Sequence, residues 1–190
     1  MGSSNDFGGR PIHFIGIGGI GMSGLAYVLA RRGLPVSGSD LRSTNITQKL
    51  AAEGAHIFLK LVASNLAFFD SHPSGQTPQI ICSTAIGKTN SELTAALERG
   101  CPIFHRSDVL AALVEEYTSI GVAGTHGKTT TSSAIGYMLV QAGVDPTIVV
   151  GGEVTAWDGT ARVGKSRYFV AEVDESDGSI VKHEIGRAHV

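Results

Sequence analysis

The strongest constraint on the fold is an uncharged stretch near the N-terminus, residues 12–30, with the sequence IHFIGIGGIGMSGLAYVLA. Such a stretch is long and apolar enough to suggest a membrane span or a signal peptide. However, five glycines fall within it, and Arg31 and Arg32 follow immediately. A buried strand, a glycine turn and a helix explain this pattern better than a membrane helix does. We therefore expect a soluble protein.

Short β-rich runs alternate with helical runs along the rest of the chain. Such alternation is typical of a parallel α/β sheet with right-handed crossovers. The pattern restarts near residue 118, which predicts one α/β domain at residues 11–117, after a loose leader at residues 1–10, and a second one from residue 118. The predicted strands are residues 12–17, 36–39, 56–59, 79–83, 102–104, 120–123, 147–150 and 168–173, and the predicted helices are residues 21–32, 46–53, 91–99, 108–116 and 128–142.

The charge balance and the cysteines exclude some broad classes of protein. Fifteen Lys and Arg residues stand against seventeen Asp and Glu residues, which gives a net charge of −2. No basic run is dense enough for a nucleic-acid footprint, so an anionic ligand must be held by local geometry. The cysteines, Cys82 and Cys101, have neither a CxxC partner nor a metal-ligand spacing, which is typical of a reducing cytoplasm.

The first glycine motif, GIGGIG at residues 16–21, has the form G-x-G-x-x-G. It follows a predicted strand and opens a predicted helix, where backbone amides can face a diphosphate. Asp40 ends the next strand, at the position where an acid commonly binds a ribose hydroxyl. On these residues alone NAD is the default ligand, and a glycine turn that only packs strand against helix is the alternative.

The rest of this half offers no clear apparatus for hydride transfer, which weighs against NAD. His105 and Arg106 follow a short strand, and an arginine suits a diphosphate. A further turn offers hydroxyls and amides to a phosphate or a sugar, although its residues also suit a plain turn. That turn, after the predicted strand 79–83, contains Ser83, Thr84, Ala85 and Ile86.

The second glycine motif, GVAGTHGKTTT at residues 121–131, is an imperfect P-loop. Val122 stands where the strict pattern G-x-x-x-x-G-K-[ST] has glycine. Even so, Gly124 and Gly127 allow backbone amides to surround a phosphate, and Lys128 can neutralise the β- and γ-phosphates. Thr129 stands where a hydroxyl binds Mg²⁺. The motif therefore predicts a nucleotide triphosphate site between a strand and a helix.

A group of acids follows the last predicted strand, in the segment YFVAEVDESDGS. This is the position of an acid that completes magnesium coordination in phosphoryl-transfer enzymes. Glu172 lies near the end of the strand, whereas Asp174, Glu175 and Asp177 lie in or near the following turn. We therefore predict Glu172 as the metal ligand.

The motifs taken together resemble the Mur ligases, the amide-forming ligases of peptidoglycan synthesis. HFIGIGGIGMSGLA, SGSD, STAI, GTHGKTTT, DPTIVVGGEV and AEVDESDGS occur in the order found in that family, from about Pro11 to Lys182. The resemblance also accounts for Val122, since the family's loop is a Gly-Thr-x-Gly-Lys-Thr variant of the P-loop.

The resemblance implies a Rossmann-like domain at residues 11–117 that holds a UDP-sugar instead of NAD. It implies that residues 118–183 begin the central ATP-binding domain of the family. The motifs are most similar to the branch that joins L-alanine to UDP-N-acetylmuramate in the cytoplasm. In that reaction ATP and Mg²⁺ convert the sugar-linked carboxylate to an acyl phosphate with release of ADP, and the amine of L-alanine then displaces phosphate.

The resemblance also assigns roles to individual residues. Lys128 is the catalytic cation that stabilises the charge of phosphoryl transfer, and Thr129 and Glu172 are the metal ligands. The residues implied for ATP binding are Gly124, Thr125, His126, Gly127, Lys128, Thr129 and Thr130. Those implied for the UDP-sugar are Gly18, Gly19, Ile20, Gly21, Met22, Asp40, Ser83, Thr84, Ala85 and Ile86.

Some features depart from the family pattern. Residues 60–64, KLVAS, replace a Gly-His pair that leads to an Asn, and the domain that receives the amino acid has no counterpart in the chain. We expect residues 184–190 to be a non-native tail and the 190-residue chain to be inactive alone; a natural short paralogue is the alternative. The other functions left open are a non-catalytic UDP-sugar-binding module and a NAD-dependent oxidoreductase.

Overall fold

The structure is a computed structural model that describes residues 9–173. The tail at 184–190, most of the predicted leader, and Asp174, Glu175 and Asp177 therefore lie outside the described residues. The chain divides into two compact units between Arg106 and Ser107. The sequence places this boundary near residue 118, and the difference corresponds to one helix, Arg106–Glu116.

The first unit contains a five-stranded sheet in which every pair of neighbouring strands is parallel, in the order β3-β2-β1-β4-β5. This confirms the predicted parallel α/β fold. Its elements are β1 (Ile12–Ile15), α1 (Ile20–Arg31), β2 (Val36–Ser39), α2 (Asn45–Ala52), β3 (His56–Phe58), a 3-10 helix (Ala63–Phe69), β4 (Gln79–Cys82), α3 (Ser91–Glu98) and β5 (Ile103–His105).

Local chemistry explains where these elements begin and end. The first predicted strand extends two residues too far, because Gly16 has a φ of 80° and turns the chain away from the sheet. Helix α2 begins after Thr44, whose side chain and that of Thr47 form a reciprocal capping box. Helix α3 begins after Asn90, whose side chain accepts from two backbone amides.

The strand order places a topological switch point between β1 and β4. The chain leaves β1 toward β2 on one side of the sheet, and β4 leads to β5 on the other. The loops that follow β1 and β4 therefore separate at the carboxyl edge of the sheet. Open parallel sheets bind their ligands in the crevice that forms there.

The second unit contains a four-stranded sheet in the order β6-β9-β7-β8. Strands β6, β9 and β7 are parallel, and β8 is antiparallel to β7. Helix α5 packs closely on this sheet, since a Cβ on Gly136 would lie 2.7 Å from the Ile148 side chain. The elements from the unit boundary onward are α4 (Arg106–Glu116), β6 (Thr118–Val122), α5 (Lys128–Gln141), β7 (Thr147–Val154), β8 (Gly159–Arg162) and β9 (Tyr168–Glu172).

The hairpin formed by β7 and β8 was not predicted from the sequence, which indicated only a turn-rich segment there. Strand β7 continues to Val154, and the chain turns back through Asp158, which has a φ of 53°. The glycines and polar residues that indicate a turn stand on the mostly exposed half of the hairpin. In the described part of the chain, no helix is both long and apolar enough to cross a membrane.

Candidate functional site

The first glycine loop is held at the carboxyl edge of the sheet by the end of β2. The amides of Gly16 and Ile17 both donate to the carbonyl of Ser39 at 2.9 Å. The amide of Gly18 donates to Oδ2 of Asp40 at 2.9 Å. The sequence-predicted residues Gly18 and Asp40 are thus brought into direct contact, and the Asp40 carboxylate supports the loop itself.

Helix α1 begins immediately after this loop without a side-chain cap. Gly19 is its N-cap and has no side chain that could accept from the first-turn amides, and that turn contains no acidic residue. The first amides of a helix have no partner within the helix and carry the positive end of its dipole. This arrangement suits an anion such as a diphosphate.

Two side chains, those of Asp40 and Arg106, lie so close to loop glycines that a larger residue there would displace them. A Cβ on Gly18 would lie 2.8 Å from Oδ2 of Asp40, and one on Gly21 would lie 2.7 Å from Nη1 of Arg106. The guanidinium of Arg106 therefore lies against the start of α1. Its charge and its position beside the first-turn amides both favour an anionic ligand.

The predicted turn after β4 lies next to the glycine loop. Ile86 approaches Gly16 closely enough that its Cδ1 would be 3.6 Å from a Cβ there. The amide of Ile86 donates to the carbonyl of Ser83 at 3.1 Å, and Thr84 and Ala85 are exposed between them. The structure thus brings this turn and the loop together at the switch point.

Two predicted contacts with the UDP-sugar differ in how their side chains lie. Ile20 is 48% exposed, whereas Met22 is only 3% exposed. The amide of Met22 donates to the carbonyl of Gly19 at 2.9 Å. Met22 therefore contributes to the core and to the turn of the helix, and its side chain is not open to a ligand.

The second glycine loop connects β6 to α5. Gly124 has a φ of 145° and Gly127 a φ of 76°, conformations that favour glycine, and Gly127 is the N-cap of α5. Nζ of Lys128 donates to the carbonyl of Gly124 at 2.7 Å. Thr125, His126 and Thr130 are exposed on this loop and the first turn of α5.

The predicted metal ligands meet at the start of α5. Oγ1 of Thr129 donates to Oε2 of Glu172 at 2.7 Å, although 43 residues separate the two in sequence. Glu172 is the last residue of β9, which pairs with β6 directly beside the loop. A hydroxyl and a carboxylate are oxygen ligands of the kind that Mg²⁺ prefers.

The pair fits a magnesium ion that takes some of its ligands from the protein and the others from a nucleotide and water. Between residues 9 and 173, no three or more His, Cys, Asp or Glu side chains form a group that could hold a metal ion. Mg²⁺ commonly takes one or two protein ligands and completes its octahedron with substrate phosphates and water. Thr129 and Glu172 would supply the protein ligands in such a site.

Gly151 and Gly152, which belong to the motif DPTIVVGGEV but were given no role from the sequence, lie against the Thr129–Glu172 pair. The amide of Gly151 donates to Oε2 of Glu172 at 2.8 Å. A Cβ on Gly151 would lie 2.8 Å from that carboxylate, and one on Gly152 would lie 3.0 Å from Cγ2 of Thr129. The signal was present in the sequence as a Gly-Gly pair after four buried strand residues.

Comparisons with known proteins add independent evidence. A sequence model described as "Mur ligase family, catalytic domain" matches residues 11–118, more than half of the chain. The chain is 64% identical to the UDP-N-acetylmuramate–L-alanine ligase of Trichormus variabilis over 204 aligned positions, which cover 98% of the chain and 41% of that protein. It is 66% identical to the ligase of the same name from Microcystis aeruginosa, covering 94% of the chain and 38% of that protein.

Solved structures are similar to the chain as well. The UDP-N-acetylmuramate-alanine ligase of Thermotoga maritima matches with a TM-score of 0.76 and 30% identity, covering 88% of this chain and 37% of that one. The UDP-N-acetylmuramate:L-alanyl-gamma-D-glutamyl-meso-diaminopimelate ligase of Neisseria meningitides matches with a TM-score of 0.78 and 30% identity, covering 88% and 53%. The chain thus spans about two-fifths of the length of the curated relatives described above.

Proposed function

The chain belongs to the Mur ligase family, and from that premise we propose that it carries the sugar-nucleotide and ATP sites of a ligase joining L-alanine to UDP-N-acetylmuramate. The observation that carries the proposal is that each unit has one glycine-rich loop of the kind that binds phosphate. Each loop connects a parallel strand to a helix whose N-cap is glycine without a side-chain hydrogen bond. The names and identities of the relatives support the choice of substrates.

In the first unit, the diphosphate of the sugar nucleotide would bind at the start of α1. The amides of Ile20 and Gly21 would donate to phosphate oxygens, and the guanidinium of Arg106 beside Gly21 would neutralise part of the phosphate charge. The turn after β4, Ser83 to Ile86, whose middle residues Thr84 and Ala85 are exposed, would contact the same ligand. The amide of Gly18 donates to Oδ2 of Asp40, which helps to hold the loop at the end of β2.

In the second unit, the loop from Gly124 to Thr130 would surround the phosphates of ATP. Lys128, now bonded to the Gly124 carbonyl, would exchange that partner for phosphate oxygens. Thr129 and Glu172 would hold Mg²⁺, which when bound supplies positive charge for phosphoryl transfer. Preorganised cations of this kind act mainly by stabilising the charge that develops in the transition state.

The proposed reaction has two steps. A carboxylate oxygen of UDP-N-acetylmuramate forms a bond to the γ-phosphorus while the bond to the β–γ bridging oxygen breaks, which releases ADP and leaves an acyl phosphate. The amine of L-alanine then attacks the carbonyl carbon, loses a proton, and displaces inorganic phosphate. Lys128 would act in the first step by stabilising the transferred phosphoryl group. Since the reaction consumes ATP and a nucleotide sugar, we propose that it takes place in the cytoplasm as part of peptidoglycan synthesis.

The activity can be tested with a chimera in which residues 1–183 replace the matching segment of the Trichormus variabilis ligase. We expect repeated ADP release that requires both UDP-N-acetylmuramate and L-alanine. Repeated ADP release without L-alanine, beyond the one equivalent per enzyme that acyl phosphate formation allows, would contradict the proposal, as would a folded chimera that binds both nucleotides and releases no ADP. The 190-residue chain alone is expected to release no ADP, because it spans about 41% of that relative.

A further inference from the structure

A buried polar cluster joins β1 and β2 of the first unit to α3 and the 3-10 helix. Neither proposed substrate site includes it. It consists of His13 on β1, Ser37 and Ser39 on β2, Asn65 in the 3-10 helix and Glu92 in the first turn of α3. Four of these residues are 0% exposed, and Asn65 is 7% exposed. We call these five residues the Glu92 cluster.

Glu92 is the centre of the cluster because its carboxylate contacts three side chains. Oε2 accepts from Oγ of Ser39 at 2.6 Å, and Oε1 accepts from Nδ2 of Asn65 at 2.6 Å. Nε2 of His13 lies 3.2 Å from Oε1. A buried carboxylate is costly unless it is satisfied in this way, so these contacts fix the relative positions of β1, β2, α3 and the 3-10 helix.

Ser39 connects the cluster to the glycine loop. Its hydroxyl is bonded to Glu92, while its carbonyl accepts from the amides of Gly16 and Ile17 at 2.9 Å. The next residue, Asp40, accepts from the amide of Gly18. The orientation of one residue at the end of β2 therefore determines where the loop amides point.

Ser37 provides a natural comparison within the same strand. It is also 0% exposed, and its hydroxyl lies 2.8 Å from Nδ1 of His13. Ser37 pairs with His13, two residues farther along the strand from the loop. Ser39 pairs with Ile15, directly before Gly16. Loss of either hydroxyl removes one buried hydrogen bond, but only Ser39 is bonded to the loop.

We propose that Glu92 is a positioning residue for the sugar-nucleotide loop and that it acts through Ser39. The inference rests on the proposed function, in which this loop holds the diphosphate of UDP-N-acetylmuramate. The carboxylate orients Ser39, the Ser39 carbonyl orients the amides of Gly16 and Ile17, and the loop is thereby preorganised for the ligand. Glu92 itself touches no substrate.

The experiment compares Ser39→Ala with Ser37→Ala in the 190-residue chain by calorimetric titration with UDP-N-acetylmuramate and with ATP·Mg²⁺. Both variants should melt at a lower temperature than the parent, since each loses a buried hydrogen bond. Only Ser39→Ala should weaken UDP-N-acetylmuramate binding, by roughly tenfold, the effect of one hydrogen bond. The ATP dissociation constant should change in neither variant.

Glu92→Gln provides a second route if Ser39→Ala fails to fold, because glutamine keeps the shape of the side chain and loses one acceptor. The matched control is Glu98→Gln, which lies exposed on the same helix. Glu92→Gln should weaken UDP-N-acetylmuramate binding, and Glu98→Gln should not. Equal dissociation constants for all variants would overturn the positioning role, whereas a parent chain that binds no UDP-N-acetylmuramate would instead overturn the proposed function.

Discussion

At the scale of single residues, the second loop depends on one cation. The ammonium of Lys128 donates to the Gly124 carbonyl at 2.7 Å. This hydrogen bond holds the ammonium beside the loop that would surround the phosphates in the proposed function.

Replacing Lys128 with alanine should selectively weaken nucleotide binding in the second unit. Hydrogen bonds to charged groups contribute about 1.5–3 kcal/mol, so the dissociation constant for ATP·Mg²⁺ should rise by roughly 10- to 100-fold. Binding of UDP-N-acetylmuramate should stay the same. Calorimetric titration of the variant with both ligands measures this, and the exposed Lys165→Ala in the same unit is the control. An unchanged ATP affinity would show that Lys128 does not contribute to ATP binding.

Asp145 should make the stability of the second unit depend on pH. The hydrogen bond from the Arg162 guanidinium, with a second one from the backbone amide of Lys165, lowers the pKa of the Asp145 carboxyl below its usual range. Because the pKa is lower in the folded state, the stabilising contribution is present above the usual carboxyl pKa. It is lost as the pH falls through the lowered pKa.

Asp145→Asn removes this charge and keeps the backbone, since asparagine also accepts the φ of 55° found there. We expect a small decrease in melting temperature at pH 7 and a smaller further decrease than the parent shows on acidification. Thermal melts of both proteins, from pH 7 down through the usual pKa of a carboxyl group, measure both effects. The exposed Glu153→Gln serves as the control. Identical acid profiles for Asp145→Asn and the parent would contradict the assignment.

Among the site residues, the sequence predicted those whose places follow from a local motif. Thr129 and Glu172 could be paired from the P-loop pattern and from the position of an acid at a strand end, and the structure brings them to 2.7 Å. The Glu92 cluster could not be predicted. Its members lie between residues 13 and 92, and only the paired strands and the packed helix bring them together.

At the scale of elements, glycine controls how closely β2 approaches its neighbours. Gly38 is buried between Ser37 and Ser39, and a Cβ there would lie 2.6 Å from the Ile17 side chain and 2.7 Å from the carbonyl oxygen of Phe14. No side chain larger than hydrogen fits without moving β1 or the loop. The end of β2 thus supports the loop by close packing as well as by hydrogen bonds.

Gly38→Ala should destabilise the first unit by about 1–3 kcal/mol, the usual cost of overpacking a core. Thermal or denaturant unfolding measures this change. Gly87→Ala is the matched control, because a Cβ at Gly87 meets no atom within 4 Å. A Gly38→Ala variant as stable as the Gly87→Ala variant would show that the close approach of β2 is not needed.

The boundaries of helices and strands could be predicted where a capping residue marks them. They were missed where pairing with another part of the chain determines them. Thr44 and Asn90 mark the starts of α2 and α3. The 3-10 helix, Ala63–Phe69, has no comparable cap, since Val62 precedes it without a side-chain hydrogen bond. Strand β8 exists because β7 provides a partner for it, and its own sequence indicates a turn.

At the scale of the whole molecule, each of the two units has one glycine-rich loop that connects a parallel strand to a helix. Physical chemistry alone predicted the loops but left NAD as the default ligand of the first one, because a G-x-G-x-x-G turn binds any diphosphate in the same way. The order of motifs along the chain identified the family, and the comparisons confirm it. Fold class therefore followed from periodicity, whereas the identity of the first ligand did not.

Calorimetric titration of the 190-residue chain with UDP-N-acetylmuramate and, separately, with NAD distinguishes the two candidate ligands of the first glycine loop. We expect saturable binding of UDP-N-acetylmuramate and no binding of NAD. The same titration with Lys128→Ala should give the parent's affinity for the sugar nucleotide, which keeps the two sites distinct. Saturable binding of NAD with no response to UDP-N-acetylmuramate would contradict the proposed function and favour an oxidoreductase.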